Sequence, residues 1–207
     1  SEMCIRDRVQ RVPELFSYLQ GQVDETGATG QYILSGSQNF LLMDAISQSL
    51  AGRVAIKHLP PLSYSEVKAA GRQPESVEAW VVRGGYPRLY DVDMTPAEYY
   101  SNYIQTYIDR DVRSELGVVK IPEFNRFVAL CATRIGNLVN IQSLAADCGI
   151  NMRTAKDWLA LLEQSFIIRL LRPYHHNYGK RLIKTPKLYF EDTGLALSLI
   201  HISEPTR

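Results

Sequence analysis

The chain has 207 residues, of which 45% are apolar and 22% charged, and a formal net charge of +1. That composition excludes disordered and fibrous classes, and the near-zero charge excludes a uniformly basic coat for nucleic acid, leaving only a local patch for that purpose. Three cysteines, Cys4, Cys131 and Cys148, lack CxxC spacing and fit a reducing, cytoplasmic setting better than a disulfide framework or zinc site. No apolar run approaches the roughly 20 residues that a bilayer crossing needs, so no membrane partner is expected.

The two ends, Ser1-Glu-Met-Cys-Ile-Arg-Asp-Arg8 and His201-Ile-Ser-Glu-Pro-Thr-Arg207, resemble peptides translated from sequencing-adapter DNA, and residues 1–8 and 201–207 are expected to be artefact. The other reading is a pair of polar, frayed termini. Between them, Val12 to Leu19 predicts a short amphipathic helix and Gly21 to Gly30 a loop. Tyr32-Ile-Leu34 reads as a buried strand, Phe40 to Leu50 as a helix stopped by Gly52, and Val54-Ala-Ile56 as a second strand ended by Pro60-Pro61. Strand, helix, strand is the pattern of an α/β nucleotide-binding core.

From Leu62 onward helices replace strands. Ser63 with Glu66 forms a reciprocal capping pattern, a helix is expected over Glu75 to Arg83, and Thr95-Pro-Ala-Glu98 opens another with proline in its first turn. Tyr100, Tyr103, Ile104, Tyr107, Ile108 and Val112 would share one face of that helix as far as Gly117. Pro122 opens the next, whose stripe is Phe124, Phe127, Val128, Cys131 and Ile135 before Gly136.

Ser143 to Leu159 has the spacing of two short helices about a tight turn at Gly149, with Asn151 capping the second helix and Leu144, Ala145, Ile150, Ala155, Trp158 and Leu159 burying the crossing. Phe166 to Leu171 and Lys187 to Phe190 then read as the two strands of a wing, which completes a winged helix-turn-helix. Arg153, Thr154 and Lys156 lie early on the second helix, where this motif contacts the major groove. Arg172, Lys180, Arg181, Lys184 and Lys187, with no acid between them, could meet phosphates. The same basic loop also reads as a solvated hairpin or a partner for acidic residues of another domain.

Several short motifs in order carry a family resemblance. Val9-Gln-Arg-Val-Pro-Glu-Leu-Phe16, Ile33-Leu-Ser-Gly-Ser-Gln-Asn39, Ser49-Leu-Ala-Gly-Arg53, Pro61-Leu-Ser-Tyr-Ser-Glu66 and Gly84-Gly-Tyr-Pro87 resemble a prokaryotic family of AAA-type, P-loop ATP-binding proteins of the AAA+ superfamily. Tyr107-Ile-Asp-Arg-Asp111, Asn177, Lys180 to Lys187 and Tyr189-Phe-Glu-Asp-Thr-Gly-Leu195 are similar to that family's C-terminal domain of unknown function. Residues 9–70 would be the distal α/β part of the core, 71–118 an all-helical lid, 119–190 the winged helix-turn-helix, and 191–200 the start of a truncated restriction-endonuclease-like segment.

The resemblance implies ATP and Mg2+ as ligands of the full-length protein and none for this fragment alone, since no GxxxxGK[ST] loop occurs in the 207 residues. Family members carry an Asp-Glu pair at the end of a strand just before the Val-Gln-Arg-Val-Pro motif. Asp7 and Arg8 stand at those positions, but Cys4-Ile-Arg6 is not the apolar strand expected there. The Asp7 match is therefore read as coincidence, and the magnesium and water-activating roles are not carried over. Ser35 or Ser37 with Gln38 and Asn39 look like the sensor that hydrogen-bonds the γ-phosphate. The same residue types also make an ordinary cap and turn. Arg53 matches the position of the arginine offered in trans to a neighbour's nucleotide, which implies a homo-oligomer, or else it is a surface arginine beside a helix end. Arg88 falls where some relatives place another phosphate-sensing arginine.

Glu191 and Asp192 either enter the nuclease-like segment or cap a helix beginning at Thr193, and one carboxylate pair makes no nuclease site. The four histidines, His58, His175, His176 and His201, have no metal-ligand spacing beyond an adjacent pair. The expected function is ATP binding and hydrolysis coupled to movement of the winged-helix domain. The alternative is a non-enzymatic winged-helix DNA-binding regulator.

Overall fold

The computed structural model describes residues 4–6, 14–28, 30–35, 50, 52–106, 120–174 and 185–202. The chain divides into two compact units, Ser1–Leu59 and Pro60–Arg207.

In the first unit, strand β1 (Cys4–Arg6) and strand β2 (Tyr32–Leu34) pair in parallel, with Cys4 opposite Tyr32 and Arg6 opposite Leu34. Helix α1 (Glu14–Thr26) lies between them in the chain, as a parallel pair requires a crossover connection. Its inward face buries Phe16 and Leu19, and Phe16 packs with Leu50, Leu15 and Leu34. Three sequence expectations change. Cys4-Ile-Arg6 is a strand despite its mixed character, because backbone pairing with β2 does not depend on side-chain polarity. The first helix continues past Leu19 through Gly21. One interior glycine costs only about 1 kcal/mol, and Thr26 Oγ1 donates back to the Gln22 carbonyl at 2.9 Å in the final turn. Val54-Ala-Ile56 forms no ladder, and Val54 and Ile56 are 37% and 41% exposed. The helix expected over Phe40 to Leu50 lies outside the described residues except at Leu50.

The second unit begins with helix α2 (Tyr64–Ala69), whose capping box is complete: Glu66 N donates to Ser63 Oγ and Ser63 N donates to Glu66 Oε2. Helix α3 (Val77–Arg83) is capped by Ser76, a short α4 spans Arg88–Asp91, and α5 (Pro96–Tyr103) is capped by Thr95. Helix α6 (Ile121–Ala132) buries Phe124, Phe127, Val128 and Cys131 of the predicted stripe, whereas Ile135 lies beyond the helix end and is exposed. Helices α7 (Ile141–Cys148) and α8 (Met152–Gln164) follow, separated by Gly149 at φ 67°, and Asn151 caps α8 by accepting from Thr154 N at 2.8 Å. Trp158 of α8 meets the rings of Phe124 and Phe127 edge-on at 5.2 and 5.5 Å.

Strands β3 (Ile168–Leu171) and β4 (Lys187–Phe190) form an antiparallel pair, and Leu138 bridges to Lys187 on its far side. Helix α9 (Thr193–Ile202) closes the unit and packs against α3, α5, α6 and β4. Residues 191–200 lie in the same compact unit as the helices before them. The reason is apolar: Leu195, Ala196 and Leu199 are buried among the helices they touch. The architecture is mixed, an α/β piece followed by a mainly helical unit carrying a small two-stranded sheet.

Candidate functional site

In the first unit, Ser35 is exposed and directly follows the carboxyl end of β2, the end of a parallel sheet where ligands gather in α/β folds. Ser37, Gln38 and Asn39 lie outside the described residues, as does Asp7. Arg53 is held by its own chain: Nε donates to Asp24 Oδ1 at 2.6 Å and Nη2 to Oδ2 at 3.2 Å. This two-pronged pairing with the last turn of α1 raises the guanidinium pKa, first through the hydrogen bond and then through the Asp24 charge. The sequence placed Arg53 at a helix end but gave no sign of Asp24, 29 residues away.

In the second unit, two motifs from opposite ends converge. Asp192 is 3% exposed, and its carboxylate accepts from Gly85 N at 2.6 Å, Tyr100 hydroxyl at 2.6 Å and Leu195 N at 2.8 Å. The last of these is the expected cap of α9. The first two join β4 and α9 to the chain around α3 and α5. Tyr100 shares its proton with the Arg83 carbonyl at 2.9 Å, and the shorter bond to the charged acceptor dominates. Burial, then the Asp192 charge, pushes the Tyr100 phenol far above its ordinary value. Burial does the same to Tyr86, whose hydroxyl donates to that of Tyr103 at 3.0 Å. Arg88 is exposed at the start of α4 and stands close enough to Tyr99 for its charge to oppose the rise that burial causes in that phenol. Arg83, rather than Arg88, is the arginine built into this region. Its Nη2 donates to the Leu89 carbonyl at 2.7 Å, and the guanidinium lies 5.1 Å from the Tyr90 ring centre.

On α8, Arg153 and Lys156 are exposed and Thr154 is half-buried, while Ala155, Trp158 and Leu159 face inward. The first two turns of α8 therefore carry two exposed cations. Arg172 is engaged by Glu163 at 3.5 Å, which reduces its value as a phosphate contact, and Lys180, Arg181 and Lys184 lie outside the described residues. Among the described residues no group of three or more His, Cys, Asp or Glu side chains converges as a metal set, and no helix is long and apolar enough to cross a membrane.

A family described as an AAA domain matches residues 1–68, so the α/β piece is an AAA-type ATPase-like region. A second family, described as Domain of unknown function (DUF8612), matches residues 74–206, and the chain belongs to it. The chain is similar to Uncharacterized protein Mb2031c of Mycobacterium bovis and Uncharacterized protein Rv2008c of Mycobacterium tuberculosis. Each is 32% identical over 202 residues, covering 96% of this chain and 44% of the relative, so the chain spans less than half the length of these proteins. No solved structure matches.

Proposed function

We propose that this chain belongs to an ATP-hydrolysing AAA+ protein in which nucleotide turnover moves a C-terminal winged-helix domain. The observation that carries the reading is the parallel β1–α1–β2 arrangement, with Ser35 at the strand end and Arg53 after Leu50, within residues that match an AAA domain. ATP with Mg2+ would supply the phosphoryl group. Ser35 would hydrogen-bond its terminal oxygens, and Arg53 would leave Asp24 to neutralise charge on a neighbouring subunit's nucleotide. No phosphate-cradling GxxxxGK[ST] loop occurs in these residues, so the complete protein is the unit to assay. Its purified product should hydrolyse ATP with Mg2+; a complete product that neither binds nor hydrolyses ATP sinks this reading.

Helices α6, α7 and α8 with β3, β4 and the bridge at Leu138 follow the order of a winged helix-turn-helix, which supports that name for the segment. A second function, DNA binding by a non-enzymatic regulator, is favoured by the outward Arg153 and Lys156 at the start of α8. On that reading, Arg153→Ala with Lys156→Ala weakens DNA binding and flattens its salt dependence by about two phosphate contacts. Equal, salt-insensitive binding by both proteins removes it.

A further inference from the structure

We propose that Asp192 is a clasp that fastens the helical segment of residues 62–106 to the helix-turn-helix segment, so that the two move as one body and a displacement of the first carries the second. Asp192 sits where three elements meet. Through the chain it follows β4, and Glu191 just ahead of it is anchored twice: its N–H donates to the Ile167 carbonyl at 3.1 Å, and its carboxylate takes both prongs of Arg169 at 2.8 Å. The position of Asp192 is thereby tied to the strand pair. Its own carboxylate reaches into the other segment, to Gly85 N before α4 and to the Tyr100 hydroxyl on α5, while Leu195 N ties it to the first turn of α9.

The surroundings leave no slack. A Cβ at Gly84 would lie 2.6 Å from both Asp192 carboxylate oxygens, and one at Gly194 would lie 2.5 Å from the Tyr100 ring and hydroxyl. A Cβ at Gly85 would run into the Leu62 carbonyl, whose own N–H donates to the Gly85 carbonyl at 2.7 Å. The glycines of the two motifs, Gly84-Gly85 and Gly194, are therefore where the backbones approach closely enough for one carboxylate to reach all its donors. Helix α9 adds a spine, since it touches α3 and α5 of the one segment and α6 and β4 of the other. Parting the two segments breaks the hydrogen bonds from Gly85 N and the Tyr100 hydroxyl to a carboxylate, bonds that the buried, low-dielectric surroundings strengthen. Asp192 thus adds a polar tie between the two segments to the apolar packing that α9 already makes with both.

The test is amide hydrogen exchange on the whole chain, read peptide by peptide for wild type, Asp192→Ala and Tyr100→Phe. In wild type, α3 and α5 are expected to exchange at the same slow rate as α6. In Asp192→Ala, protection of α3 and α5 should fall at least ten-fold while α7 and α8 keep theirs, and Tyr100→Phe should give the same pattern with a smaller fall. Should Asp192→Ala not fold, the Tyr100→Phe pattern decides. Protection that is already lost from α3 and α5 in wild type, that is unchanged in the variants, or that falls equally across α7 and α8 overturns the clasp.

Discussion

At the residue scale, the energetics of the second unit centre on a carboxylate taken out of water. Replacing Asp192 by alanine leaves the Gly85 and Leu195 N–H groups and the Tyr100 hydroxyl without their acceptor, a loss of about 3 kcal/mol in the free energy of opening the α3 and α5 segment, read by amide exchange. A change below 1 kcal/mol would contradict the geometry. The phenols of Tyr100 and Tyr86 add a pH dependence whose sign is fixed. Both titrate higher in the folded protein than in the unfolded chain, so their contribution is fully present below about pH 10 and is lost as pH rises beyond it. Thermal unfolding should show stability falling above that pH, with the slope reduced in Tyr100→Phe. Cys131 and Cys148 are buried, with thiols pushed up by burial, and neither should react with a thiol reagent in the native protein. The sequence revealed Asp192 as a cap because capping is local. Its bonds to Gly85 and Tyr100 cross 107 and 92 residues, and no single-sequence pattern encodes such a meeting.

At the scale of elements, helices were legible where caps and stripes agree. Ser63 with Glu66, Thr95 and Asn151 all cap where expected, and the Phe124 to Cys131 stripe is buried. Strands were less legible, because a three-residue strand such as β1 is defined by its partner, and Val54-Ala-Ile56 has strand-forming side chains without one among the described residues. The turn after α8 offers a direct test of local strain. Phe166 adopts φ 55°, a left-handed conformation that costs a bulky residue roughly 1 kcal/mol or more relative to glycine. Phe166→Gly should therefore raise the unfolding free energy by about 0.5–1 kcal/mol, measured by urea denaturation. A loss of stability would mean that the phenyl ring contributes more by packing than its backbone costs.

At the scale of the whole molecule, the chain joins an α/β piece that matches an AAA domain to a mainly helical unit that matches a domain of unknown function. The order of motifs announced an AAA-type region, and a domain match over residues 1–68 agrees with it. The roles proposed for Ser35 and Arg53 require a nucleotide and a neighbouring subunit, neither of which a sequence can display. Arg53, which we propose reaches a neighbouring subunit's nucleotide, is held in place here by Asp24. The deciding measurement is ATP hydrolysis by the complete protein carrying Arg53→Ala, alone and mixed with a subunit that lacks only its phosphate-binding lysine. Each variant alone is expected to lose at least ten-fold in kcat, and mixing is expected to restore activity, because an intact arginine then faces an intact nucleotide site. Wild-type rates for Arg53→Ala alone, or no recovery on mixing, would contradict it.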